Sequence, residues 1–304
     1  MNADFPRVQV LPGLDRASFR VDGAERLAYE FGSGGPRPFL YPLIGPSGRE
    51  LTRLGHPEPV GHEHHHAIWF GHQNVHGVNF WEERPGRDVS VRHKRVVAYR
   101  DGLDWGGLAA EWDWWADGRS LMKQGLRVAL AVEEDGSLAI DLSSRFEVEK
   151  GPVDLGKTNF GFLGVRVAKT MSERFGGGRL TADDGATGEG AIFGKRYRWV
   201  DYTGPTAPGV VEGIAYFDHP SNPGHPAHWH VRADGWFEAA FNLAEAWGLA
   251  AGHPLDLRYR LWVHGGKADG ARIDASWREF ARSADLELAK DAETRLSTLR
   301  RGKA

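Results

Sequence analysis

The sequence predicts an all-β protein, either a sandwich or a barrel. We expect a large antiparallel β-sandwich (supersandwich-like) with a C-terminal α-helix. Apolar and polar residues alternate with a period of two along most of the chain, as they do in half-buried strands. The strand-like segments recur every eight to twelve residues, which is typical of sandwiches and barrels. Only one stretch, near the C-terminus, has helical spacing.

The strands are bounded by turn residues. Pro12-Gly13 and Asp22-Gly23 separate the first segments, and residues 133–137 read as a hairpin loop. Pro42 and Pro46 place their segment at a sheet edge or end it early. The predicted strands are 8–10, 18–21, 26–31, 38–44, 89–99, 108–116, 126–132, 138–146, 162–168, 196–202, 210–217, 229–232, 236–241 and 255–264.

The C-terminal helix is predicted over about residues 274–299, with Asp274 as its N-cap. Trp277, Phe280, Ala284 and Leu288 recur there at helical spacing. The chain has neither an internal repeat nor a Pro/Ser-rich linker. We therefore expect one domain over residues 1–304, with the helix packed across the end of a sheet.

Composition excludes several classes of function. The 304 residues include no cysteine, and the formal net charge is −3 at pH 7. Disulfides, thiolate metal sites and cysteine nucleophiles are therefore excluded, and neither a nucleic-acid nor a membrane partner is expected. The N-terminus lacks the basic and apolar regions of a signal peptide. A cytoplasmic location is the expectation, and the sequence sets no oligomeric state.

Histidine is concentrated in two short segments. Residues 61–72 hold five of the fourteen histidines, and residues 218–230 hold four more. Imidazole titrates near neutral pH and is the commonest side-chain metal ligand. We expect the two segments to meet in one site. If residues 62–66 form a strand, His62, His64 and His66 share one face, and His228 and His230 repeat that spacing.

Without thiolates, a metal here would be held by imidazole and carboxylate, which suit ions such as Zn, Mn or Fe. His62, His64, His72 and His219 are the candidate ligands. A metal-free site, with histidines as general acid and base, is the alternative. Nothing in the sequence indicates an organic cofactor.

Other residues near these segments are candidates for binding and catalysis. Trp81 is a stacking platform, and Glu82 is a carboxylate ligand or base. Lys157 lies in a polar loop and could be an electrophilic or basic group. Glu111 and Asp113 could flank a sugar as a carboxylate pair, but a solvated strand face is the simpler interpretation. Trp112 and Trp114 then point into the core.

Long ordered motifs resemble those of a bacterial family of unknown function that is often labelled methane oxygenase PmoA-like. The resemblance covers about residues 37–264. The motifs are RPFLYPLIGP at 37–46, HEHHHAIWFGH at 62–72, GVNFW at 77–81, KTNFG at 157–161, WVDY at 199–202, FDHPSNP at 217–223 and WHVR at 229–232.

The resemblance implies a sugar or sugar-derived substrate, because members of that family occur in sugar-catabolic settings. Methane oxidation itself is rejected, because the membrane subunit with that label is rich in transmembrane helices and this chain has none. The family pattern includes a set of histidines, which here are His62, His64, His65, His72, His219 and His230. This sequence departs from the pattern at Glu63, where proline is usual, and at His66, where arginine is usual. His228 also falls where the pattern has no histidine.

We therefore predict an enzyme of carbohydrate metabolism, a lyase, epimerase or hydrolase, with a histidine-lined cleft. The catalytic residues would be His65, His230, Glu82 and Lys157. The residues that bind a small carbohydrate substrate would be Trp69, Trp81, Asn159 and Arg232. A redox enzyme with iron or copper on histidine and carboxylate, and a non-catalytic sugar-binding module, are the alternatives.

Overall fold

The two main sheets are antiparallel throughout and have eight strands each. The computed structural model describes residues 5–32, 34–55, 62–83, 86–291 and 296–303. The first sheet has the strand order β1-β2-β3-β4-β5-β11-β16-β15. Its strands are β1 (Val8–Pro12), β2 (Arg16–Val21), β3 (Ala24–Glu30), β4 (Phe39–Leu43), β5 (Ile68–His72), β11 (Gly161–Arg166), β15 (Trp229–Arg232) and β16 (Trp236–Ala239).

The second sheet has the order β12-β13-β14-β18-β9-β8-β7-β6. Its strands are β6 (Val89–Arg100), β7 (Trp105–Ala116), β8 (Arg119–Val132), β9 (Leu138–Glu147), β12 (Arg179–Ala182), β13 (Trp199–Ala207), β14 (Val210–Asp218) and β18 (Leu255–Gly265). Two short pairs complete the strands, β10 (Val153–Leu155) with β17 (Trp247–Leu249), and β19 (Leu286–Lys290) with β20 (Ser297–Arg301).

The core lies between the two main sheets. The Phe70 ring of β5 meets the Trp112 ring of β7 at 5.9 Å, and Phe237 of β16 meets Tyr216 of β14 at 5.9 Å. Trp112 and Trp114 point into this core, as predicted. Glu111 pairs with Arg95 on the solvated outer face of the second sheet. The predicted antiparallel β-sandwich is thus confirmed.

The helices are few. They are a 3-10 turn (Lys169–Met171), α1 (Glu173–Gly176), α2 (Glu189–Ile192) and α3 (Gly270–Arg282). Ile273 and Phe280 of α3 are buried against aromatic residues on the outer face of the second sheet. No helix among the described residues is long and apolar enough to span a membrane.

The C-terminal helix exists, but its predicted limits of 274–299 are wrong. Its N-cap is Asp269, whose side chain accepts hydrogen bonds from the backbone N–H groups of Ala271 and Arg272. The helix ends at Arg282, and the carbonyl oxygen of its C-cap residue, Ser283, accepts a hydrogen bond from Arg258 Nη2 at 2.9 Å. The chain then forms the β19–β20 hairpin, which buries Leu299 against Ala98 and Ala109 of the second sheet. This long-range packing overrides the helical spacing.

The first histidine segment is also not the strand that its spacing suggested. Residues 63–64 form a turn, and β5 begins only at Ile68. His62, His64 and His66 therefore do not share one strand face. The predicted strand-spacing argument is wrong there, although the segment does contribute to a cavity.

Candidate functional site

A cavity of about 620 Å³ lies on the outer face of the first sheet, away from the sandwich core. Alternation in strands β5, β11, β16 and β15 places Trp69, Trp236 and His230 on this face. Together with Phe39 and Trp81, the two strand tryptophans form a separate buried aromatic cluster. The cavity is lined by His62, His64, His65, Gln73, Trp81, Glu82, Glu83, Asn159, Phe160, Arg174, Phe193, His230, Arg232, Asp234 and Trp236.

Three histidine rings from the turn before β5 contact one another. The centroid distances are 5.8 Å for His62–His64, 5.1 Å for His62–His65 and 4.5 Å for His64–His65. The His65 ring stacks on Trp69 at 5.1 Å and is only 2% exposed. Burial and the neighbouring imidazoles lower the pKa of His65 to about 2. Burial, with Arg37 and His62, lowers the pKa of His64 to about 4.

His230 enters the cavity from β15. Its Nδ1 donates a hydrogen bond to the Asn159 carbonyl oxygen at 2.7 Å. Burial lowers the pKa of His230 to about 4. The ring is therefore neutral at pH 7, with the proton on Nδ1 and Nε2 as the acceptor. Trp236, at 4.3 Å between centroids, and Phe160, at 5.0 Å, hold its plane.

A buried carboxyl group lies behind His230. Glu238 of β16 faces His230 across the strand pair and is completely buried. Its Oε1 accepts a hydrogen bond from Gly161 N at 3.2 Å and lies 3.8 Å from His230 Nδ1. Its Oε2 has no hydrogen-bond partner among the described residues. Burial raises the pKa of Glu238 well above its ordinary value, because it disfavours the charged form of the carboxyl.

Charged residues line another part of the cavity. Arg232 Nη1 lies 3.1 Å from Glu189 Oε1. Asp234 Oδ1 accepts a hydrogen bond from Nη1 of the fully buried Arg166 at 2.9 Å. Arg174 belongs to α1, whose backbone is tied to the β15–β16 turn because Arg174 N donates to the Ala233 carbonyl oxygen at 2.8 Å.

Eight of the twelve predicted site residues line this cavity. His62, His64 and His65 of the first histidine segment thus line the same cavity as His230 of the second. The eight are His62, His64, His65, Trp81, Glu82, Asn159, His230 and Arg232.

The other four predicted residues lie outside the cavity. Trp69 is fully buried beneath His65, and Lys157 is exposed on the surface. His72 is buried with Nε2 bonded to Asn242 Oδ1 at 2.9 Å. His219 lies near α3, where its Nε2 is 3.0 Å from Arg258 Nη1. In the described part of the chain, no group of three or more His, Asp or Glu side chains is arranged to hold a metal ion.

The sequence reasoning missed several residues that line the cavity. Neither Trp236 nor Asp234 was among the predicted site residues, although alternation along β15 and β16 puts Trp236 on the His230 face. Glu83 lies 3.4 Å from His66 Nε2 and 3.7 Å from Arg37 Nε. Arg174 lies in α1 and Phe193 is the C-cap residue of α2, and no local pattern marks them.

Comparisons with known proteins identify a family, but the function of that family is unknown. No curated protein matches the sequence. A solved structure described as "Putative kojibiose phosphorylase from human microbiome" aligns with a TM-score of 0.34 and 9% identity, over 91% of this chain and 37% of that chain. The chain thus spans little more than a third of that protein.

A family model matches residues 16–278. It describes a family of unknown function, which agrees with the unknown function of the family that the motifs resemble. It gives no support to the methane-oxygenase label. The chain belongs to the family of unknown function DUF6807.

Proposed function

We propose that this cavity binds a sugar or keto-sugar and catalyses a proton-transfer step on it, as a lyase, epimerase or hydrolase does. The observation that carries the proposal is the pair of neutral imidazoles, His65 and His230, in one cavity of about 620 Å³ lined with aromatic rings. This volume lies in the usual range for small-molecule sites.

The aromatic side chains suit the apolar face of a sugar ring. Trp81, Phe160 and Trp236 contact one another, with centroid distances of 5.4 to 6.0 Å. Flat rings of this kind bury apolar C–H surface, while the surrounding amide and imidazole groups satisfy hydroxyl groups. Asn159, Gln73 and His62 line the same cavity and supply such polar groups.

His230 is the proposed general base. Its Nδ1–H is held by the Asn159 carbonyl oxygen, so Nε2 is the nitrogen that takes a proton from the substrate. The electron pair of the broken C–H or O–H bond then moves to a substrate carbonyl or leaving-group oxygen. His65 is neutral and donates an N–H to that oxygen in this scheme, and Glu82 is the second acid–base group. Lys157 has no part in it, because it lies outside the cavity.

The test is proton exchange in D₂O with a panel of ketoses and aldoses, followed by NMR and mass spectrometry. A His230→Asn variant should retain the fold and lose about 100-fold or more of the rate, the scale of general acid–base catalysis. The matched control is His253→Asn, which changes an exposed histidine outside the cavity. Equal rates in the wild type and His230→Asn would refute the role of His230. Binding without exchange or product would favour a sugar-binding module.

Metal-assisted or redox chemistry is the second candidate, because His62, His64 and His65 contact one another. Among the described residues these side chains are not arranged as a ready three-ligand site, so they would have to reorient to hold a divalent ion, which would act as a Lewis acid toward a substrate oxygen. Elemental analysis of untagged protein and of His62→Ala/His64→Ala tests this candidate. A stoichiometric ion that the variant loses would support it, and iron or copper would favour the redox alternative. An ion retained by the variant would place the metal elsewhere.

A further inference from the structure

We infer that the ligand of this cavity is an anionic sugar, whose carboxylate or phosphate group is bound by Arg174 and Arg232. The inference rests on the proposed function and specifies its substrate class. It follows from a separate observation, the distribution of charge along the cavity wall.

Arg174 is the most available cation in the cavity. Its side chain is exposed and lines the cavity, with the guanidinium 5.4 Å from the centre of the neighbouring Phe175 ring. Within the described ranges, no carboxylate forms a salt bridge with it. Because Arg174 N is bonded to Ala233 O, the side chain starts next to the turn that follows Arg232. Two guanidinium groups thus come to one part of the wall.

Arg232 is held in place and keeps donors for a ligand. Its contact with Glu189 uses Nη1, and the other Glu189 oxygen accepts a hydrogen bond from Ala233 N at 2.7 Å. The Arg232 side chain remains 47% exposed. A guanidinium carries five N–H donors, so one ion pair leaves others for a carboxylate or phosphate.

The nearby aspartate does not cancel this positive charge. Asp234 is paired with Arg166, and Arg53 Nη2 donates to the Asp234 carbonyl oxygen at 3.1 Å. Arg166 is completely buried, and its Nε and Nη2 have no partner among the described residues. Arg166 and Arg53 therefore both contact Asp234, so the negative charge of Asp234 is offset by these two arginines.

The other acidic residues that line the cavity, Glu82 and Glu83, lie near the first histidine segment. Glu83 lies near Arg37 and His66, and Glu82 raises the pKa of His64 against the dominant effect of burial. Glu82 and Glu83 are thus grouped with the first histidine segment, whereas Arg174 and Arg232 lie at or near the β15–β16 turn, where Asp234 is already paired with Arg166. A ligand with one anionic group and an uncharged ring matches this separation.

The experiment compares three probes that share one ring: glucose, glucuronate and glucose 6-phosphate. Isothermal titration calorimetry at low salt measures binding to the wild type, Arg174→Gln, Arg232→Gln and the double variant. The matched control is Arg119→Gln, which changes an exposed arginine at the start of β8. We expect the anions to bind about tenfold or more tighter than glucose, from the strength of charge-assisted hydrogen bonds. Added salt should reduce this advantage.

Arg174→Gln should remove most of the preference for the anion without changing the affinity for glucose, and Arg119→Gln should change neither. The tighter of the two anions identifies the group as carboxylate or phosphate. Equal affinities for all three probes, or an anion preference that survives in the double variant, would overturn the inference and leave the proposed function intact. Failure of every probe to bind would count against both.

Discussion

At the scale of single residues, Glu238 is the most unusual side chain of the site. It lies near His230 and Gly161, and among the described residues it accepts one hydrogen bond, from Gly161 N. An ionised carboxylate in such a place would lack the partners that buried charges need. Burial therefore favours the protonated form and raises its pKa well above the ordinary value. The carboxyl lies beside His230, with Oε1 3.8 Å from the Nδ1 that donates to Asn159.

Glu238→Gln should make the protein relatively more stable than the wild type as pH rises. The glutamate pKa is higher in the folded state than in the unfolded state. Its contribution is therefore fully present below the unfolded pKa and is lost as pH rises toward the folded pKa. The stability difference should grow by at most about 1.4 kcal/mol per pH unit.

Urea unfolding of both proteins between pH 5 and pH 8.5 measures this difference. Glu287→Gln, which changes a glutamate of the exposed Arg300 ion pair, is the control and should show almost no trend. A constant difference between wild type and Glu238→Gln across the range would mean that Glu238 is ionised in the folded protein.

At the scale of elements, one buried carboxylate, that of Asp141, connects the C-terminal β19–β20 hairpin to the second sheet. Asp141 of β9 accepts hydrogen bonds from Arg260 Nε at 2.6 Å and Nη2 at 3.0 Å, in β18. It also accepts one from Arg301 Nη2 of β20 at 2.8 Å. The same aspartate thus joins two strands of the second sheet to the hairpin that replaces the end of the predicted helix.

Asp141→Ala should lower the free energy of unfolding by about 3–5 kcal/mol, because it leaves the buried Arg260 without its partner. Asp256→Ala is a matched control. Its aspartate forms a two-point ion pair with Arg145, at 2.8 Å for each contact, but both side chains are more than 40% exposed. The control should lose less than about 1 kcal/mol. Urea denaturation measures both, and equal losses would show that burial of Asp141 has no energetic importance.

At the scale of the whole molecule, neutral histidines should make the fold sensitive to acid. His65, His72 and His230 are at most 3% exposed. Burial lowers the pKa of His65 to about 2 and that of His72 and His230 to about 4. The unfolded chain would take up these protons near pH 6.5. Their contribution is therefore full above pH 6.5 and is lost as pH falls through the folded values.

The free energy of unfolding should fall below pH 6.5, with an upper bound of about 4 kcal/mol per pH unit for three buried histidines. Urea midpoints at several pH values between 7.5 and 4.5 give the slope. His230→Gln should make the slope shallower, and His253→Gln, at an exposed site, should not. A midpoint that stays constant from pH 6.5 to 4.5 would contradict the burial of these rings as neutral groups.

The sequence by itself determined the class of the fold. Alternation along β18 and the other long strands is a local property, and so is the spacing of Trp277 and Phe280 in the helix. The concentration of histidine in two segments was equally visible, but it did not separate His65 and His230 from His72 and His219. Local periodicity sufficed here because each strand or helix must turn its own apolar residues toward the core.

Tertiary structure alone decided which residues share the cavity. β5 and β15 are separated in the sheet by β11 and β16, and that order depends on pairing between distant segments. The tertiary structure places Arg174 and Phe193 in the cavity wall. It places His72 and His219 outside the cavity, where they contact Asn242 and Arg258. It also ended α3 at Arg282, ahead of the β19–β20 hairpin that packs on the second sheet. Spacing along a chain fixes the face on which a side chain lies, but packing of remote segments fixes what that face meets.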